Sequence, residues 1–90
     1  MIASAQQLAA FLKLNRIALT PGRPSEADDL VDGEIGLAIP GRELHVQVGM
    51  GYANVVEEHA DNTFTFHESV ASKAALLTQI QQVVADATAP

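Results

Sequence analysis

The strongest constraint on this chain is a change of hydrophobic period at Glu34. From there apolar residues recur at every second position: Ile35, Leu37 and Ile39, then, beyond Pro40-Gly41, Leu44, Val46, Val48 and Met50. A period of two marks strands with one buried face. With Pro40-Gly41 as a two-residue turn, Leu37 pairs with Leu44 and Ile35 with Val46, so both apolar sets share one face. A slip of one residue would separate them. The sequence thus predicts an antiparallel hairpin in a defined register.

Two further turns follow. Gly49-Met50-Gly51 is either a tight turn into a strand over Tyr52–His59 or a glycine bulge in one long strand. Asp61-Asn62 leads into Thr63-Phe64-Thr65-Phe66-His67, with phenylalanines on one face and threonines on the other. As a two-residue turn it sets His59 opposite Phe64 and His67 opposite Val56, on different faces. A three-residue turn, Ala60 to Asn62, would instead put His59 and His67 on one face with Glu57. The two-residue register is the preferred expectation, and Phe64 and Phe66 are expected as the natural seat for the C-terminal helix.

Helical spacing brackets the strands. Ser4 and Gln7 form a capping box, and Ala5, Leu8, Phe11, Leu12 and Leu19 fall near one face. Lys13 and Arg16 suit the negative end of the helix dipole, and Asn15 is the expected stop. Thr20-Pro21-Gly22-Arg23-Pro24-Ser25 breaks the pattern. A second helix begins at Ser69 or Ser72. Its stripe is Val70, Ala74, Leu77, Ile80, Val84 and Ala87, widened by Leu76 and Val83. The expected fold is α+β: an N-terminal helix, an antiparallel β-meander of three or four strands, and a C-terminal helix packed on one sheet face. Residues 1–90 form one domain, with 20–34 an acidic Pro/Gly-containing loop that has room for one short helical turn.

Composition narrows the function. With no cysteine in 90 residues, disulfides, thiolate zinc sites, iron–sulfur clusters and cysteine nucleophiles are excluded. Eleven acids against five lysines and arginines give a formal charge of −6, the wrong balance for gripping duplex phosphate. No apolar run approaches the ~18 residues of a spanning helix. Met1-Ile2-Ala3-Ser4 lacks a basic region ahead of an apolar stretch, so the expected compartment is the cytoplasm.

The chemistry-bearing residues do not assemble a reaction. Asp28, Asp32 and Gly33 partly fit a calcium loop, but its third and twelfth positions fall on Leu30 and Ile39. His45, His59 and His67 lack the local spacing of a zinc site. Glu57, Glu58, His59, His67 and Glu68 supply acid–base groups along a flat hairpin, where a pocket is not expected. Phe64, Phe66 and Tyr52 would suit base stacking, but neighbouring glutamates repel phosphate. No catalytic residue, metal site or cofactor is therefore expected.

What remains is a surface. Acids concentrate at Glu26, Asp28, Asp29, Asp32 and Glu34, and again at Glu57, Glu58 and Asp61; these are the expected partner contacts. Gln79 and Gln82 lie on a neutral helix face that loses water cheaply, which suits an oligomer interface such as a homodimer. The expectation is a small acidic, non-enzymatic interaction module, an inhibitor or adaptor that binds the basic surface of another protein. Inhibitors of phage or mobile-element type, anti-CRISPR proteins among them, share its size and charge only. The alternatives are a subunit of a symmetric virion or secretion-type assembly, and a metal-binding or hydrolytic domain using the last hairpin's histidines. Neither membrane nor duplex nucleic acid is an expected partner.

Overall fold

The computed structural model describes residues 2–20 and 33–88. Helix α1 spans Ala5–Leu14. Strands β1 (Gly33–Leu37), β2 (Glu43–Gly49), β3 (Tyr52–Glu58) and β4 (Phe64–Phe66) follow, and helix α2 (Lys73–Thr88) completes the order. The strands form one antiparallel sheet in the order β1-β2-β3-β4. This is the expected α+β meander, with four strands.

Local sequence explains each boundary. The Ser4 hydroxyl accepts from the Gln7 N–H at 3.1 Å, capping α1 as its capping box predicts. The helix ends at Asn15 in a Schellman turn: the Ile17 N–H bonds the Leu12 carbonyl and the Arg16 N–H that of Lys13, both at 3.0 Å. Arg16, at φ 64°, holds the left-handed position usually given to glycine. Ser72, the second of two expected starts, caps α2 by accepting from the Ala75 N–H at 3.1 Å.

The first hairpin has the predicted register, Leu37 opposite Leu44 and Ile35 opposite Val46. Gly41 has φ 78°, the left-handed third residue of a type II turn after Pro40. The Gly49-Met50-Gly51 ambiguity resolves as a tight turn, with Gly49 opposite Tyr52 and both Met50 and Gly51 at positive φ. The last hairpin departs from the preferred register. Glu58 faces Phe64 and Val56 faces Phe66, so its loop has three residues, and Asn62 takes φ 66° within it.

That single residue reassigns a face. Ile35, Leu37, Leu44, Val46, Val48, Ala53 and Val55 form the buried face, under Leu8 and Leu12 of α1 and Leu76, Ile80 and Val83 of α2. The stripe on α2 is thus centred on Leu76, Ile80 and Val83, while Ala74 is exposed. Phe64 and Phe66 are not the helix seat. They stand on the opposite face, 48% and 64% exposed.

Two edges receive extra backbone. Leu19 bridges Leu37, and the Thr20 N–H bonds the Gly36 carbonyl at 2.8 Å, adding a short rung beside β1. Beyond β4, Val70 bridges Ala53 with reciprocal bonds of 2.8 and 2.9 Å. Ile2 is buried, and its N–H bonds the Gly51 carbonyl at 2.9 Å, fastening the chain before α1 to the β2–β3 turn.

Candidate functional site

Alternation of side chains across the pleat leaves one sheet face without a helix among the described residues. Its rows follow from the register: Glu43, Glu58 and Phe64 at one end, then Gly36, His45, Val56 and Phe66, then Glu34, Gln47 and Asn54, with Tyr52 beyond. The Phe64 and Phe66 rings lie 6.0 Å apart and tilted by 32°. Tyr52 is 53% exposed. Val56, opposite Phe66, is buried even though it faces away from the helices. The result is an aromatic strip of Phe64 and Phe66 on β4, with Tyr52 two rows further along β3 on the same face.

Carboxylates flank this strip. Glu43 and Glu58 are direct cross-strand neighbours, an arrangement that costs stability unless a cation intervenes. Glu34 lies 3.9 Å from His45 Nε2. Among the described residues this face carries no lysine or arginine: Arg42 bonds Glu57 on the other face, and Lys73 Nζ stands 5.4 Å above the Phe11 ring. A cleft of about 200 Å³ opens between Glu34, Glu43, His45 and Glu58 over Gly36. That is below the ~300 Å³ at which ligand pockets begin.

Of the sequence-predicted contacts, Glu26, Asp28, Asp29 and Asp32 lie outside the described residues, as does the calcium-loop candidate. Glu34 and Glu58 are on the open face. Glu57 is on the helix-covered face and buried, where Arg42 Nε donates to its Oε2 at 2.6 Å and Nη2 to its Oε1. These charge-assisted bonds hold the Glu57 carboxyl below the usual carboxylate range, against the opposing effect of burial, and raise the Arg42 guanidinium. Asp61 Oδ1 accepts from the Thr63 hydroxyl at 2.6 Å and the Thr63 N–H at 3.2 Å, which lowers its pKa and closes the last loop.

The glutamines divide. Gln82 is exposed, but the Gln79 carboxamide is engaged within the fold: Oε1 accepts from the Val55 N–H at 2.8 Å and Nε2 donates to the Glu68 carbonyl at 2.7 Å. The observed register is that of the three-residue turn, with His59, His67 and Glu57 on one face. His59 Nε2 meets Thr65 Oγ1 at 2.6 Å. Among the described residues no three His, Cys, Asp or Glu side chains are placed to hold a metal ion. Arg42, Glu57 and His59 border an open depression of about 480 Å³ at the end of the sheet, and the first two neutralise each other.

The residues that sequence reasoning passed over are Glu43 and the exposed role of Phe64, Phe66 and Tyr52. For Phe64 and Phe66 the signal is the length of the last turn, which decides the face of every residue on β4; Glu43 and Tyr52 are placed by the pairing of β2 with β3. Compared with family models, curated proteins and solved structures, the chain matches none. Among the described residues no helix is long and apolar enough to cross a membrane.

Proposed function

We propose that this chain is a non-enzymatic protein-interaction module whose open sheet face docks a partner with a basic surface. One observation carries the reading: Phe64 and Phe66 stand exposed beside Glu43 and Glu58 on a face without lysine or arginine among the described residues. Aromatic rings supply contact area at small entropic cost, and flanking carboxylates select a cationic partner and steer its approach. Inhibition or adaptation of that partner follows from covering its basic surface. The acids at Glu34 and Asp61 extend the negative potential beyond the strip.

The test is affinity capture from the native host with three full-length baits: wild type, Phe64→Ser/Phe66→Ser and Glu43→Gln/Glu58→Gln. The reading requires one basic partner that both variants lose while their circular dichroism stays that of wild type. Capture equal for all three baits would overturn it.

A symmetric assembly is the second reading, favoured by the exposed edge strand β4 and by Gln82 on the outer face of α2. Light scattering on the purified chain separates the two, since an assembly subunit forms a defined oligomer without any partner.

A further inference from the structure

We infer that β4 takes up an extended, arginine-bearing segment of a partner protein as a fifth, antiparallel strand; the inference rests on the interaction-module reading and specifies its partner. Backbone direction makes the edge receptive. The His59 N–H bonds the Thr63 carbonyl and the His67 N–H bonds the Val55 carbonyl, both at 2.9 Å, so the ladder alternation turns the Thr65 backbone towards β3. The N–H and C=O groups of Phe64 and Phe66 therefore point outward. They meet no partner among the described residues.

Charge selects the occupant. A residue added opposite Phe64 stands on the open face, in the row that continues through Phe64 to Glu58 and Glu43. Strands lie ~4.8 Å apart, so an arginine there crosses the Phe64 ring and reaches Glu58. Its guanidinium stacks on the ring and donates to the carboxylates, relieving the Glu43–Glu58 opposition. Two residues earlier in the added segment, opposite Phe66 in the row that runs through Phe66 to Val56, a β-branched apolar side chain fits. A second copy does not meet these needs. Its own β4, Phe-Thr-Phe, brings rings against rings and supplies no cation.

The probe is the peptide acetyl-Thr-Thr-Val-Thr-Arg-Thr-Thr-amide, titrated into the isotope-labelled full chain and followed by nuclear magnetic resonance. The Phe64 and Phe66 amide signals shift, and their hydrogen exchange slows about tenfold or more as the peptide saturates. Replacing the peptide arginine with glutamine, or making the chain Glu43→Gln/Glu58→Gln, weakens binding about tenfold, the scale of one charge-assisted hydrogen bond. Methylating the peptide nitrogens of its valine and arginine removes the strand donors and abolishes uptake. Unchanged binding by the methylated peptide overturns strand addition, as do Phe64 and Phe66 signals that stay still at millimolar peptide. Concentration-dependent movement of those signals without peptide makes a second copy the occupant and overturns it too. No uptake, with partner capture still lost in Phe64→Ser/Phe66→Ser, overturns strand addition and leaves the module standing; capture that ignores both open-face variants fells both.

Discussion

The Gln79 side chain occupies the place of a strand residue opposite Val55. Between the His67–Val55 contact and the Ala53–Val70 bridge, β3 contributes only Asn54 while the facing chain contributes Glu68 and Ser69. This bulge pulls the His67 carbonyl away from the Val55 N–H, and Asn54 Nδ2 donates to that carbonyl at 3.2 Å. Gln79 accepts from the deserted N–H at 2.8 Å, from a helix two elements away. A buried strand donor is thereby satisfied by a side chain.

Gln79→Ala leaves that donor unpaired beside a fully buried valine, and we expect a loss of about 1–3 kcal/mol in urea unfolding. Gln79→Glu keeps the acceptor but loses the bond to the Glu68 carbonyl, so it falls between alanine and wild type. An alanine variant as stable as wild type would remove Gln79 from the sheet's hydrogen-bond scheme.

Acid weakens the fold through Glu57. Its folded pKa lies below the ordinary carboxylate value, chiefly through the Arg42 bonds, so its contribution is full above the unfolded carboxylate range. As pH falls through that range towards the lowered folded value, the contribution disappears. Asp61 acts in the same direction through Thr63. Glu57→Gln lowers stability at neutral pH and flattens the acid limb of a stability–pH curve; a curve parallel to wild type would contradict the pairing.

The two faces of the sheet respond differently to truncation. Leu76→Ala empties a fully buried position and costs about 2–5 kcal/mol. Phe66→Ser removes a larger side chain but loses little beyond its cross-strand contact with Val56, less than about 1 kcal/mol. Thermal or urea unfolding of the two variants gives the comparison. A Phe66→Ser loss equal to that of Leu76→Ala would return the ring to the core.

Much of this was readable in the sequence, and the exception has a physical cause. Ile35, Leu37, Leu44 and Val46 could satisfy the period of two in one register only, so the first hairpin followed from hydrophobic pattern. Thr63-Phe64-Thr65-Phe66 alternates equally well with its phenylalanines on either face. There the choice passed to the loop, where Asn62 adopts a left-handed backbone and adds one residue. Hydrophobicity favoured burial of the rings, and loop geometry prevailed. Gln79 was legible only as a neutral residue on a polar helix face, because the bulge it completes is set by Glu68 and Ser69 on another segment.

Gly36 is held by contact. A Cβ built there would lie 2.7 Å from the Thr20 Cβ and 2.8 Å from its Oγ1. Gly36→Ala therefore displaces the rung that Thr20 and Leu19 add to β1, and unfolds at lower temperature. Thr20→Gly in the same chain opens the space and restores part of the loss, whereas Thr20→Ala keeps the obstructing Cβ and does not. Equal effects of the two second-site changes would rule out this steric account.

Left-handed residues offer stabilising substitutions. Arg16 and Met50 hold φ 64° and 56°, and both side chains are exposed. Arg16→Gly at the Schellman position and Met50→Asn in the tight turn each remove backbone strain of about 1 kcal/mol. Each raises the melting temperature by a few degrees, a smaller gain for glycine because its unfolded chain is freer. A fall in melting temperature for Met50→Asn would contradict the assigned turn.

The bond from Ile2 to Gly51 has a kinetic side. Each strand lies beside its neighbour in sequence, so the meander can assemble from encounters that close short loops. Fastening α1 asks for something else: Ile2 must find a turn that exists only after β2 and β3 have paired. The Ile2 bond therefore depends on the β2–β3 turn, whereas no strand pairing depends on that bond.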